Sequence, residues 1–327
     1  MTKCKKRILS ILSLILCGSS LMAQETLLLR SPSISDKHIT FVYGGDIWIA
    51  EKDGSHPKRL TVNPGVEQNP EFSPDGKHIA FTGNYDGNTD VYVIPIQGGE
   101  PKRITYHPAS DVMRGWINNE ELYFSSVREY NYSLGGRLYK TNIHGKGMPQ
   151  PLTMPEAYQG SPSPNGQHWA YIKNQDPLER ERVAFKRYRG GGMPTIWIFD
   201  EKTHEIETIP GGNSNNVKPV WMGDGNVYFL SDRDKIVNIY SYNVQSKAIQ
   251  KLTDFKDYDV KSLKGHGNTL VFEQAGRVHT LDLGSKKTQT IKVHLGADAV
   301  YKRPHYIDIA RNIRSFNISS TMSLLRP

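Results

Sequence analysis

Cysteine is nearly absent: the 327 residues include two, Cys4 and Cys17. Both lie in the first 23 positions, so the remainder has no thiol for a disulfide, a cysteine-built zinc site or a nucleophile. A strong charge of one sign is missing too. Lysine and arginine number 41 against 33 acidic residues, a formal net charge of +8. Lys3, Lys5, Lys6 and Arg7 supply four of those positive charges and no acidic residue precedes Gln24, so residues 24–327 carry +4. So mild a balance argues against nucleic acid as a partner. Long hydrophobic runs are lacking as well. The most apolar stretch, 8–16, is about half the roughly 20 residues that a helix needs to cross a bilayer, so no stable membrane anchor is expected. Beyond it no segment shows the 3.6-residue periodicity of a long amphipathic helix.

The N-terminus does hold an ordered series of basic residues (Lys3 to Arg7), an apolar stretch and the small or apolar residues Ser19, Ser20, Leu21, Met22 and Ala23. That order is the pattern of a secretory signal peptide over 1–23, cleaved after Ala23, and it predicts a periplasmic or secreted protein. The rival reading is a leader acylated at Cys17, but Leu16 stands where such a site wants a small residue.

The rest of the chain repeats itself at a period of about 45 residues, as four-stranded propeller blades do. The clearest unit runs Asn69, Pro70, Glu71, Phe72, Ser73, Pro74, Asp75, Gly76, Lys77, His78, Ile79, Ala80, Phe81, then Asp90, Val91, Tyr92, Val93, and closes on Arg103, Ile104, Thr105. Pro presets φ, Asp bonds its local backbone and Gly takes the left-handed conformation, so Ser-Pro-Asp-Gly is a turn between strands. The frame recurs at Ile39–Phe41 with Asp46–Ile49, at Leu122–Phe124, at Trp169–Tyr171 with Ile196–Ile198, at Val227–Phe229 and at Leu270–Phe272. Each unit buries its apolar faces only against neighbours, so six units are expected to close into a ring. The predicted fold is all-β, a six-bladed propeller of four-stranded antiparallel blades over 24–292. Residues 293–327 form a linker and the start of a second propeller.

Single residues are weighed against the repeat. His38, His78 and His168 share one position after the hairpin turn, which reads as a shared solvent-facing site and not as metal ligation. Residues 84–90 have calcium-like composition but lack the loop spacing and closing Glu, so they read as a turn. No metal or other cofactor is expected. Ser231, Asp232, Arg233 and Asp234 are matched by Ser126, Val127 and Arg128, which favours turns and inter-blade charge pairing. The individual segment is the blade-four insertion, 173–194, with Arg180, Arg182, Lys186, Arg187, Tyr188, Arg189 and three glycines. Arginines on a loop of a rigid scaffold can clamp a carboxylate; they can equally pair with acidic residues of an adjacent blade.

The run Ala184, Phe185, Lys186, Arg187, Tyr188, Arg189, Gly190, Gly191, Gly192, followed by Ile196, Trp197 and Ile198, resembles the fourth blade of the N-terminal propeller in tricorn-type serine peptidases. Gly45, Asp46, Ile47 and Trp48 and the closing Val271, Phe272 and Gly276 fit the same propeller. The resemblance implies a much longer enzyme, in which two propellers that filter or channel peptides precede the catalytic core. It also implies basic side chains between blades two and three that anchor substrate carboxylates; here that connection, 106–114, offers Arg114. The candidate peptide-binding set is therefore Arg187, Tyr188, Arg189, Arg114 and Arg233. No Gly-x-Ser-x-Gly elbow occurs, so no catalytic residue is assigned. The expected function is a peptide-binding, gating module of an exported peptidase. Its partners would be peptides, unfolded segments and the downstream peptidase domains, and a homo-oligomer is open for the full-length form. The alternatives are a stand-alone periplasmic propeller of the translocation-protein (TolB-like) type, which binds proteins, and a propeller enzyme with its site on the ring face.

Export of the chain is expected to give a mature species beginning at Gln24, read by intact mass and N-terminal sequencing; a retained leader refutes the export reading.

Overall fold

The computed structural model describes residues 25–129, 136–145, 147–179 and 187–296, together with Tyr306 and Ile313. The leader 1–23, Arg180, Arg182, Lys186 and the strand expected over 313–319, apart from Ile313 itself, lie outside the described residues. Six four-stranded antiparallel sheets follow one another along the chain, over 30–59, 67–103, 111–151, 159–208, 216–251 and 260–291. Each sheet is contiguous in sequence. Their inner strands are Arg30–Ile34, Glu67–Phe72, Asp111–Trp116, Gln159–Pro162, Asn216–Trp221 and Val260–His266. Each inner strand touches the inner strands of the blades before and after it, and that of blade six touches that of blade one, so the ring is closed. The compact unit that contains the ring ends at Leu295; a second unit begins at Gly296.

The middle strands read as near-continuous apolar runs because a blade is covered on both faces. His78–Asn84 and Thr89–Pro95 are buried along almost their whole length. Five apolar clusters occupy the six seams, the largest joining blades four, five and six, and the others joining six to one, one to two, two to three and three to four. A Phe and a Tyr from adjacent strands stack at the same place in three blades: Phe81 on Tyr92 at 5.7 Å, Phe124 on Tyr139 at 5.8 Å and Phe229 on Tyr240 at 6.0 Å.

The turns chosen by the repeat behave as their chemistry requires. Gly76 has φ +68°, and the Ser73 hydroxyl donates to Asp75 at 2.7 Å and accepts from the His78 amide at 3.0 Å. Ser163, Asn165 and His168 reproduce this in blade four. The three repeated histidines are half-buried rather than fully solvent-facing, and His168 pairs with Asp200 at 3.1 Å. Inner strands of blades one, two and five each carry a β-bulge whose first residue, Ser31, Asn69 or Lys218, takes positive φ and precedes a proline. Proline has no N–H to lose from the ladder, so the bulge leaves no donor unpaired there.

Outer strands are short and are tacked on by Arg/Lys-x-Thr. In blade two the Thr105 hydroxyl accepts from the Val91 amide at 3.0 Å and donates to Asp90 at 3.2 Å, while Arg103 pairs with Asp90 at 2.6 Å. Thr61 with Arg59 and Asp46 does related work in blade one, and Thr253 with Asn238 in blade five. The seam between blades six and one is held without strand exchange. Leu29 and Ser31 donate to Gly276 O and Glu273, Thr26 donates to Val293 O, and Glu25 pairs with Arg277.

Thr105→Val keeps the shape and removes the hydroxyl, leaving the buried Val91 amide unpaired. The expected loss is about 1–3 kcal/mol, measured by chemical denaturation; an unchanged midpoint refutes the tack.

Candidate functional site at the ring axis and the blade-four insertion

Turns between first and second strands, and between third and fourth, lie on one face of the ring. Turns between second and third strands, and the connectors from blade to blade, lie on the other, which therefore carries both described ends of the insertion, 173–179 and 187–195. The exposed apolar side chains Val62, Val66, Tyr106, Tyr188 and Tyr258 all sit on this insertion face. On the opposite face, a cavity of about 250 Å³ opens between blades five and six beside Asp224, Asn226, Asn243, Gln250 and Lys286, away from every residue of the candidate set.

Charged side chains converge at the axis. The Arg114 guanidinium, from the bulge in blade three, donates through Nη1 to both Glu179 oxygens at 2.8 and 3.1 Å, and through Nε to Ser125 at 2.9 Å. Its plane lies over the Tyr158 ring at 4.5 Å. Lys218, from the bulge in blade five, reaches the same Glu179 at 2.9 Å and Asp176 at 3.1 Å. The Gln159 amide of blade four donates to both acids, at 2.7 and 3.2 Å. Lys264 of blade six donates to the Arg114 carbonyl at 3.0 Å, across the ring, and pairs with Glu71 of blade two. Glu71 accepts from Ser33 of blade one at 3.2 Å. Three acids and three bases from blades two to six, with the Ser33 hydroxyl of blade one, thus link all six blades through the centre, and the start of the insertion, with Asp176 and Glu179, is part of the link.

Burial raises the Glu179 carboxyl, but Arg114 and Lys218 outweigh it and hold the group well below the usual carboxylate range. Asp176 and Glu71 stay above their ordinary values, because burial there exceeds the help from Lys218 and Lys264. Lys218 is lowered by burial and raised more by Glu179 and Asp176, so it stays charged.

The other candidate residues gather where the insertion returns over blade five. Arg189 pairs with Asp232 at 2.8 Å, and Asn215 donates to the Tyr188 carbonyl at 3.2 Å. Arg187 has φ +59°, is exposed, and donates to the Lys235 carbonyl at 3.1 Å. The inter-blade charge pairing expected over 231–234 is made by Asp232, with Arg189, and not by Arg233. That arginine bonds within its own blade, to Ser231 at 3.0 Å and Asn216 at 3.1 Å, with its guanidinium over Phe229 and Tyr240. Arg128 does the same with Ser126, Asp111, Phe124 and Tyr139. The inter-blade pair is Arg189 with Asp232. The structure so joins Arg187, Tyr188, Arg189 and Arg233 into one patch and sets Arg114 apart at the axis. Lys218, Lys264, Glu71, Asp176, Glu179 and Gln159 escaped the sequence reading. Charged residues within inner strands, one of them directly before a strand proline, were the available signal.

A closed ring of six four-stranded sheets defines the class, a six-bladed β-propeller. The model of the tricorn protease N-terminal β-propeller domain matches residues 26–287, and the chain belongs to that family. It is 28% identical over 286 residues to tricorn protease homolog 1 of Streptomyces coelicolor, covering 86% of this chain and 26% of the relative. A chain of Sulfurisphaera tokodaii named as the N-terminal subunit of a tricorn-like protease is 29% identical over 118 residues, 35% of this chain and 60% of that one. The crystal structure of the tricorn protease superposes with a TM-score of 0.73 at 25% identity, over 83% of this chain and 27% of the other. TolB from Acinetobacter baumannii, at 14% identity and a TM-score of 0.58 over 79% of this chain and 60% of its own, shares the fold alone. The chain spans about a quarter of the length of the full tricorn relatives it matches.

Lys218→Met strips the cation from the buried Asp176 and leaves Glu179 with the Arg114 cation. It is expected to cost about 3–5 kcal/mol, read by denaturant unfolding, with much of the loss recovered when Asp176→Leu is added. A loss below about 1 kcal/mol, the range of exposed pairs, refutes the axial network as a structural pin.

Proposed function

We propose that this propeller is an accessory, peptide-handling module of an exported tricorn-type serine peptidase, working with catalytic domains that the longer relatives carry. The observation that carries the reading is the basic patch of Arg187 and Arg189 on the insertion face, borne by the loop whose start Arg114, Lys218 and Gln159 clamp at the axis. The axial donors are filled by Glu179 and Asp176, whereas an exposed guanidinium of the patch offers the donors that a free peptide C-terminus or an acidic side chain requires. The exposed tyrosines and valines on the same face supply apolar contact for the rest of a peptide. Because charged pairs cross the axis, the module acts by holding peptides on this face; threading through the ring would require breaking those pairs. Arg187 is the donor best placed to take a new acceptor, since among the described residues it bonds only a carbonyl. The separately named N-terminal subunit in Sulfurisphaera tokodaii supports the idea of a propeller-bearing part that works with other peptidase parts.

Fluorescence anisotropy with a peptide carrying a free C-terminal carboxylate and its amidated twin tests the reading. The Arg187→Ala/Arg189→Ala variant is expected to bind the free-carboxylate peptide about tenfold more weakly, the size of one charge-assisted hydrogen bond, and the amidated one nearly unchanged. Equal losses, or none, refute it.

A further inference from the structure

The repeat supplies an internal control for one buried corner of each blade. The first residue of the inner strand pairs across the ladder with a residue of the second strand, and the position two further on covers the stacked Phe and Tyr. In blade three these are Asp111, Ser126 and Arg128; in blade five they are Asn216, Ser231 and Arg233. Arg128 donates to both Asp111 oxygens at 2.8 Å while lying over Phe124 and Tyr139. In blade two the corresponding residues are Glu67, Gly83 and Tyr85. Tyr85 occupies the arginine's place, with its ring 4.5 Å from that of Tyr92 and 6.4 Å from that of Phe81. The acid is wholly buried and, unlike Asp111 of blade three, meets no arginine from that position.

The surroundings of Glu67 do not replace that cation. Its Oε2 accepts from the Thr61 hydroxyl at 2.9 Å. Its Oε1 faces the Tyr85 hydroxyl, and neither atom has a well-formed hydrogen bond among the described residues. A second buried acid, Asp46 of blade one, stands nearby with one unpartnered oxygen. The facing cation is Arg59, which is already paired with Asp46 at 2.8 Å. Two carboxylates therefore share one guanidinium at the seam between blades one and two.

We propose that Glu67 is a proton-binding site built into this seam: the folded chain keeps a proton there in mildly acidic media, because tyrosine stands where an arginine neutralises the equivalent acid of blade three. Burial is the main cause, with Asp46 adding to it and Tyr85, Thr61 and Arg59 opposing, and the carboxyl is pushed up to about 7. Burial raises Asp111 as well, but there Arg128 opposes it directly. The sign of the linkage follows. Below about pH 4.5 the group is protonated whether the chain is folded or not. Between there and about pH 7 the unfolded chain gives up its proton and the folded chain keeps it, so this group's contribution to stability falls as pH rises and is fully lost above 7. The consequence is a seam on the insertion face whose stabilisation by this group falls as pH rises toward neutrality.

Unfolding of the chain and of Glu67→Gln, followed from pH 5 to 9, tests this. The glutamine variant is expected to gain on the parent as pH rises, the ratio of their unfolding constants changing roughly a hundredfold between pH 5 and 8; parallel curves overturn the proposal. Carbon-13 NMR of glutamate-labelled chain, with the signal assigned by its absence in Glu67→Gln, should show a midpoint near neutrality. A midpoint in the ordinary carboxylate range overturns it. Tyr85→Arg, which rebuilds the blade-three corner, should lower that midpoint, and an unmoved midpoint rejects the missing arginine as the cause.

Discussion

Everything in this ring depends on one constraint, that each sheet must bury both of its faces against neighbouring sheets. A four-stranded blade with apolar residues on both sides of its middle strands has no stable state alone, because either face would be left to water. Six blades remove all free faces at once. The apolar clusters at every seam are the result, and so is the closing seam, where residues 25–31 lie against blade six through main-chain and ionic contacts. Short outer strands follow from the same constraint, since the rim is exposed and needs only a threonine and a basic residue to hold it.

Closure creates a problem at the centre. Inner strands of six sheets meet around the axis, and three of them bring Arg114, Lys218 and Lys264 there, cations that cannot be buried unpaired. The blade-four insertion resolves this by delivering Asp176 and Glu179 to Arg114 and Lys218, while Glu71 answers Lys264. The insertion is thereby a structural part of the axis as well as the bearer of the exposed patch at Arg187. The exposed patch at Arg187 and the charge pairs at the axis are thus carried by the two ends of one loop.

The repeated corner shows how a single residue resets local chemistry on a constant scaffold. Arg128 and Arg233 stack on the same aromatic pair and fasten the start of the inner strand; Tyr85 stacks equally well yet brings no charge. Packing tolerates the exchange because both side chains are flat, whereas electrostatics does not, because Glu67 remains behind.

The sequence by itself determined the class of fold. Its 45-residue period, its Ser-Pro-Asp-Gly turns and its Asp-x-aromatic strands are local signals with direct physical causes, and they located five inner strands, the turns and the insertion. Blade six was the least legible, since Val260–His266 has no turn proline and closes on Gly267 and Asn268. What only the tertiary structure decided is who meets whom at the axis and the seams. Arg114, Glu179, Lys218 and Lys264 are separated by up to 150 residues, and no period in the chain says that they converge. Of the segment 231–234, Asp232 pairs across blades while Arg233 bonds within its own, and the buried acid at Glu67 emerges only once the ladder aligns it with Asp111. Strand formation is a local property of the chain, whereas charge pairing in a closed ring depends on distances that exist only after closure.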